Sequence, residues 1–293
     1  MPLIKPKLLS FHLPGILLAC GLLSINFTPA LADEPIKLSF GLYTSDKPTT
    51  LVKKFRPILN ALQDDLSQRM GRTVSIKLSI ARTYHDGIHD LVEGRVDFAR
   101  FGPASYILAQ GKNQNIKLLA METLGGEKHF HGVICVRKDS DIKTVSDLKN
   151  RRFAFGSKSS TIGRYLSQNY LVQHGIRSRD LKSFEYLGRH DKVGYAVAQG
   201  SFDAGAMKEH TMKKLISQGQ PLRKIARFEN VARPWVAREG MAPELFKTLQ
   251  SALYGFNNNI KATELKKYHF VPTTDKDYAL IQQAIKSNHQ FHN

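Results

Sequence analysis

The chain has 293 residues, with 43 Lys and Arg against 25 Asp and Glu, for a formal charge of +18. Such a charge favours nucleic acid, an anionic membrane surface or an acidic ligand; the basic residues are scattered, with no long run and no nucleic-acid motif, so no nucleic-acid partner is expected and the charge reads as a general field that attracts anions. Two cysteines give no disulfide framework.

Met1–Ala32 reads as a targeting segment. Lys5 and Lys7 are its only charges, an apolar run extends from Leu13 to Ile25, and Ala30-Leu31-Ala32 is a small-residue cleavage signature. The run is shorter than a spanning helix needs, and Asp33-Glu34 follow it. A periplasmic protein cut after Ala32 is expected. A rival reading takes Leu17-Leu18-Ala19-Cys20 as a lipobox that leaves a lipidated Cys20, against which the chain stays apolar beyond Cys20. Cleavage at Ala32 leaves 261 residues, enough for one large or two medium domains, and a charge of +16. It also leaves Cys135 without a disulfide partner, within Val133-Ile134-Cys135-Val136, as a small buried hydrophobe.

Lys37–Leu42 is a predicted strand. A helix then runs to about Met70 with Leu51, Phe55, Ile58, Leu59, Leu62 and Leu66 as its buried stripe. Pro57 sits inside it, so the helix is expected either to start late or to kink. Val74–Ile80 alternates as a strand. A helix follows Tyr84-His85-Asp86, and Asp97–Phe101 is a further strand. Gly102-Pro103 turns into a helix carrying Ser105 and Tyr106, and Lys117–Met121 is another strand. Gly125-Gly126 breaks the chain, after which His131–Arg137 and Phe153–Phe155 are strands. Leu222–Phe228 is a strand, Pro234-Trp235 looks like a return crossing, and helices at about Pro243–Tyr254 and Tyr278–Ile285 flank Phe270-Val271-Pro272. Strands alternating with helices mean an α/β architecture with mixed or parallel strands.

The stretch Gly156-Ser157-Lys158-Ser159-Ser160-Thr161-Ile162-Gly163 joins a strand to a helical pattern with Ile162, Tyr165, Leu166, Tyr170 and Leu171 on one face. The first N–H groups of a helix lack partners and carry partial positive charge. Hydroxyls of Ser159, Ser160 and Thr161 can join them around an anion, with Lys158 adding charge, as an oxyanion cradle. An ordinary Ser/Thr helix cap explains the same residues. An internal echo adds to the pattern. His85-Asp86 opens a helix before Val96-Asp97-Phe98-Ala99, and His190-Asp191 opens one before Phe202-Asp203-Ala204-Gly205. Two lobes of similar topology are expected, with His190 brought near the cradle at strand ends.

These pieces, in order, carry a resemblance: Val96–Ala99 with Phe101–Tyr106, Val136–Ser140, Asp147–Lys149, Arg152–Gly156, Ser159-Ser160-Thr161 with Gly163, His190-Asp191, Phe202–Ala206 and Phe270-Val271-Pro272. The chain resembles the phosphate/phosphite/phosphonate periplasmic substrate-binding proteins of ABC transporters, over almost the whole mature chain. The resemblance implies a two-lobed type II periplasmic binding protein fold with a ligand cleft between the lobes. The expected lobes are 33–128 with 232–293, and 129–231, set by the glycine break and the Pro-Trp return. It implies that Ser159, Ser160 and Thr161 grip the oxyanion head with His190, and that tyrosines of the first lobe close the site; Tyr43, Tyr84 and Tyr106 are the candidates. The chain departs from the family pattern at Ile162, at Phe130 and at Arg100, which puts the ligand's tail in question more than its head.

Lys208 ends Ala204-Gly205-Ala206-Met207 and shares a face with Ala204 and Ala206, so it is a candidate cation that selects against ligands bearing an ammonium group, with Arg100 acting in the same sense. The bland alternative is a solvated lysine, paired with Glu209 or with nothing. Protonated His190 is expected to strengthen the anion contact. A hydrolase is the less favoured reading: Gly156-Ser157-Lys158-Ser159-Ser160 lacks the closing glycine of a nucleophile elbow, and no H-E-x-x-H motif offers a metal. Asp191 is read as a cap. The expected protein is a monomeric binder of a small phosphorus oxyanion. It has no cofactor or metal, and its partner is an ABC permease or, alternatively, a membrane sensor kinase.

Overall fold

The computed structural model describes residues 1–5, 7–10, 34–256 and 265–293. The chain divides into two units, Met1–Asp33 and Glu34–Asn293. In the first unit the described residues are exposed and form neither helix nor strand; the expected cleavage after Ala32 and the rival Cys20 lie outside the described residues.

Within Glu34–Asn293, β1 (Ile36–Tyr43) leads into α1 (Pro48–Met70), which returns to β2 (Val74–Ala81), parallel to β1 in register from Ile36 against Val74. The helix starts at Pro48, a favoured first position because the proline's missing N–H would be unpaired there anyway, and it runs through Pro57. Pro57 faces solvent while Phe55, Ile58 and Leu59 are buried, so water can take the carbonyl its ring leaves unbonded. Next come α2 (Tyr84–Val92), β3 (Phe98–Arg100), α3 (Pro103–Gln110) and β4 (Lys117–Leu124). The chain then crosses to a second sheet through β5 (His129–Arg137) and continues with β6 (Arg152–Phe155), α4 (Ser167–Gln173) and β7 (Ser183–Tyr186). After α5 (His190–Ala198), β8 (Ala204–Lys208), α6 (Glu209–Ser217) and β9 (Leu222–Val231), it returns through β10 (Arg233–Ala237) to α7 (Pro243–Tyr254), β11 (Tyr268–Val271) and α8 (Ala279–Lys286).

One sheet has the order β11-β4-β10-β3-β1-β2, the other β7-β6-β8-β5-β9. In each, a parallel trio is extended by a strand that has crossed from the other sheet and runs antiparallel: β10 beside β3, and β5 beside β8. The two crossings lie side by side, with the Ala232 N–H donating to the Lys128 carbonyl at 2.6 Å. The internal echo therefore has a topological basis. α2 and α5 occupy equivalent places, and Asp97 and Asp203 do equivalent work. Asp97 accepts from the Ser39 N–H and hydroxyl of β1, each at 2.8 Å, and Asp203 accepts from the Arg152 N–H of β6 at 2.8 Å. Each carboxylate fixes the register of a central strand against its neighbour. Asp191 does not cap its helix; it takes a two-pronged contact from Arg189, both arms at 2.9 Å.

Aromatic residues fill the first core, with Trp235 packed 4.6 Å from Phe40 and 5.0 Å from Phe270 between ring centroids. Cys135 is buried and unpaired in the second. The C-terminal segment lies on the second sheet: the Phe291 ring stands 5.5 Å from that of Phe155, and Asn288 donates to Gln168 at 2.8 Å. Among the described residues no helix is long and apolar enough to cross a membrane.

Candidate functional site

The loop after β6 is pinned by two glycines. The Gly156 N–H donates to the Gly163 carbonyl at 2.8 Å, and a methyl group on Gly163 would lie 2.8 Å from the Gly156 Cα, so side chains are excluded from both positions. Thr161–Leu166 is a wide turn in which the Tyr165 N–H reaches the Ser160 carbonyl, five residues back, and α4 continues it. Wide turns of this kind recur at functional sites. The Ser160 hydroxyl accepts from the Gly163 N–H at 3.0 Å, as a cap does. Its hydrogen remains free to point elsewhere, so capping and anion binding are compatible roles for one side chain.

This loop meets the first sheet directly. Thr161 Oγ1 accepts from the Ala104 N–H at 2.9 Å, at the start of α3, and Ser105 Oγ donates to the Ser159 carbonyl at 3.2 Å. On the other side Lys208 Nζ reaches Asp46 at 3.0 Å and Ser45 Oγ at 3.1 Å. The two halves are thus closed on each other. They leave between them a partly open cavity of about 30 Å³, room for about two water molecules and on the scale of a small tetrahedral anion.

Six of the residues expected from sequence line that cavity: Tyr43, Tyr84, Ser160, Thr161, His190 and Lys208. Two do not. Ser159 contributes its carbonyl to the contact with Ser105 and lies outside the lining. Tyr106 is directed away by its place in α3: its hydroxyl donates to Asp275, and its ring meets the edge of Tyr278. Tyr43 takes a structural share of the site. Its hydroxyl accepts from the Gly102 N–H at 2.6 Å and donates to Ser105 at 3.0 Å, and its ring stacks on Tyr84 at 3.9 Å. Burial pushes both phenols up, so both are neutral donors.

The cations behave differently from the expectation. Lys208 is buried and is neither solvated nor paired with Glu209. Burial pushes its ammonium down to about 8 against the opposing pull of Asp46. Burial also pushes the Asp46 carboxyl up, but the Lys208 ammonium, by its charge and its hydrogen bond, holds it well below the usual carboxylate range. Arg100 is likewise spent: it grips Glu122 through two bonds at 2.7 and 2.9 Å, and Glu122 also accepts from Trp235 Nε1 at 3.0 Å and lies 3.4 Å from Lys54.

Arg233 has no such counter-ion. It is 7% exposed, its guanidinium lies 3.9 Å over the Phe130 ring, and among the described residues it forms no ion pair. Burial and the nearby Arg100 push it down to about 10, a value at which it remains charged. Two further groups on the cavity wall, His190 Nδ1 and Asn230 Oδ1, are buried without a hydrogen-bond partner. His190 is 1% exposed, and burial, reinforced by Lys208, holds its imidazole well below its ordinary range. It is neutral, which corrects the expectation of a protonated imidazole; it can still donate one N–H. Buried polar groups in folded proteins are nearly always satisfied, so a wall with a cation that forms no ion pair and an unpartnered His190 Nδ1 suits an anion with hydrogen-bonding oxygens, while Asn230 Oδ1, an acceptor, suits a protonated oxygen of the same ligand.

Arg233 and Asn230 were missed in the sequence. Arg233 left a signal, a lone cation in the otherwise apolar run Val231-Ala232-Arg233-Pro234-Trp235-Val236. Asn230 left a weaker one, a polar residue at the inward position that follows Ala226 and Phe228 in the alternation of its strand.

A sequence model described as ABC transporter, phosphonate, periplasmic substrate-binding protein matches residues 40–278. A probable ABC transporter phosphite binding protein of Prochlorococcus marinus is 27% identical over 237 residues, covering 78% of this chain and 75% of that one. A phosphate-import protein of Mycolicibacterium smegmatis is 21% identical over 274 residues, covering 83% of each chain. The crystal structure of the Prochlorococcus marinus protein PhnD1 in complex with methylphosphonate shares the fold, with a TM-score of 0.75 and 22% identity over 87% of this chain and 98% of that one. The fold is the two-lobed type II periplasmic binding fold, and by the match across most of its length the chain belongs to the phosphonate periplasmic substrate-binding protein family of ABC transporters.

Proposed function

We propose that this protein captures a small phosphorus oxyanion (phosphate, phosphite or a phosphonate) in the small cavity between its lobes and presents it to an ABC importer from the periplasm. The observation that carries the reading is the buried, stacked and unpaired Arg233 on the same wall as the unpartnered His190 Nδ1. An isolated buried charge is costly, and an oxyanion offers the charge and the acceptors this wall lacks. In the bound form Arg233 holds the charge, and the hydroxyls of Ser160, Thr161 and Tyr84 with the His190 N–H donate to the oxygens. The relatives' names, phosphite binding and phosphate import, support the same ligand class. The lobes are taken as 33–128 with 232–293, and 129–231, since every strand of one sheet comes from the first set and every strand of the other from the second; the tail around Phe291 straps the first set onto the second lobe.

A hydrolytic use of the same residues finds little support. His190 Nδ1 has no carboxylate to orient it among the described residues, whereas a Ser-His-acid triad depends on one.

The test is a thermal-shift screen, followed by calorimetry, against phosphate, phosphite, methylphosphonate, 2-aminoethylphosphonate and sulfate. A ligand that binds only the folded form stabilises it by roughly 2.7 kcal/mol at a hundredfold excess over Kd. At least one phosphorus oxyanion is expected to raise Tm and to saturate at one site. No shift with any of the four phosphorus compounds would remove the reading.

A further inference from the structure

Although the lobes are closed around the small cavity, a second cavity of about 660 Å³ lies against it. The two share the walls formed by Ser45, Arg100, Phe130, Lys208 and Arg233. Closure has therefore narrowed a head-sized space and left beside it, along a shared wall, a space within the usual range of small-ligand sites.

The chemistry of the larger space is one-sided. Eight Lys and Arg residues line it against four Asp and Glu. Three of those acids already carry a counter-ion: Asp46 holds Lys208, while Asp191 and Glu209 are held by Arg189, Lys224 and Arg227, which lie outside the lining. Lys47, Lys213, Lys214 and Lys267 are exposed on the walls and, among the described residues, none pairs with a carboxylate. Two of these stand on each side: Lys47 precedes α1 and Lys267 precedes β11, while Lys213 and Lys214 belong to α6. Between them Leu51, Phe55, Leu124, Leu215 and Tyr268 supply apolar wall.

We infer that the preferred ligand is an organophosphonate whose carbon substituent ends in a second acidic group, a carboxylate or another phosphonate, with the head in the small cavity and the acidic tail among the vestibule lysines. This rests on the proposed oxyanion reading of the head pocket and adds the class of the tail. The carbon chain covers the apolar wall, Arg233 stands at the junction where it faces both spaces, and the terminal acid meets cations from both lobes. An ammonium-bearing tail would meet repulsion from the same walls.

Calorimetry on the mature protein at about 0.15 M ionic strength tests this with three probes of common head: methylphosphonate, 3-phosphonopropionate and 2-aminoethylphosphonate. 3-Phosphonopropionate is expected to bind at least about tenfold tighter than methylphosphonate, the scale of one charge-assisted contact, and 2-aminoethylphosphonate more weakly than either. The double variant Lys213→Glu/Lys214→Glu, and separately Lys267→Glu, should shrink the preference for the carboxylate to about twofold or less while methylphosphonate affinity changes by no more than that. Methylphosphonate equal to or tighter than 3-phosphonopropionate overturns the tail inference and leaves the head pocket standing. A preference that survives all the charge reversals also overturns it. Failure of all three probes to bind overturns the tail inference, and failure of phosphate and phosphite as well overturns the head reading with it.

Discussion

Replacing Arg233 with methionine separates the two consequences of a buried charge. The methionine keeps comparable length and packing over Phe130 but removes the guanidinium. A guanidinium held at about 10 bears roughly 3 kcal/mol of uncompensated desolvation and repulsion. Part of that is recovered when the charge is deleted, so ligand-free Arg233→Met should be more stable than the native protein by about 1–3 kcal/mol. For a chain of this size each kcal/mol moves Tm by about 2–4 °C, so the midpoint should rise by several degrees. Ligand affinity should move in the opposite direction. Deleting one partner of a desolvated charged contact costs about 2–5 kcal/mol, so the Kd for the tightest oxyanion of the screen should rise by about 30-fold to several thousandfold. Arg233→Lys retains the charge and loses the stacked, forked geometry, and should fall between. Differential scanning calorimetry without ligand and isothermal titration with ligand read the two effects on the same samples. A variant that is more stable yet binds as the native protein does would show Arg233 to be a burdened structural residue with no ligand to hold.

Thr161→Val should lose both the contact with the Ala104 N–H and a ligand donor, weakening binding by about 1.5–3 kcal/mol, whereas Ser160→Ala should in addition lower stability by about 1 kcal/mol through its lost cap on Gly163; unchanged titrations for both would return the loop to a capping role. Lys208→Met leaves Asp46 without its partner at 3.0 Å, so it should destabilise by about 3–5 kcal/mol with weaker binding of every ligand alike, in place of the altered ranking expected from sequence; denaturant titration and the ligand panel decide between them. His190 is neutral in the fold while its unfolded value is near 6.5, so the unfolded chain binds the extra proton and stability falls as pH drops below about 6.5. His190→Asn should flatten part of that acid-side slope in Tm, and native affinity, corrected for the ligand's own titration, should stay level from about pH 5.5 to about 7 and fall as Lys208 loses its proton near 8. Gly163→Ala should cost both stability and affinity, because its methyl would press on the Gly156 backbone at 2.8 Å; tight binding by a stable variant would show the cradle to be less rigid than drawn.

Much of the fold was legible because period and punctuation report it. The stripe from Leu51 to Leu66 and the alternation in Val74–Ala81 each write one element. Pro57 misled because its effect depends on which face it occupies, and that is fixed by the sheet beneath the helix. Half of the site was legible for a similar reason. Ser160 and Thr161 sit between a strand and a helical stripe, and His190 opens a helix in a repeated unit. The rest depends on pairing, which no local pattern encodes. Lys208 and Arg233 are each a cation next to a strand end, yet one meets Asp46 from 162 residues away and the other meets none. Tyr106 and Ser105 are neighbours on α3, and a helical step of about 100° turns one toward the loop and the other toward Asp275.

Closure and charge are therefore linked through the same side chains. Thr161, Ser45 and Lys208 line the small cavity and also make the contacts between the lobes. Opening the lobes would return Arg233 and His190 to water, where neither needs a partner. Closing them desolvates a guanidinium that forms no ion pair and that Glu122 and Asp46 offset only in part, at a cost of roughly 3 kcal/mol, which is enough to keep a closed form in the minority when its other contacts are nearly balanced. An oxyanion removes that cost in the closed form alone. It can shift the equilibrium only by its difference in affinity for the two forms, and a buried cation supplies most of such a difference. A neutral ligand of the same size would gain the hydroxyls and leave the guanidinium uncompensated, so selection of an anion and closure of the lobes follow from the single fact that Arg233 is buried without a carboxylate.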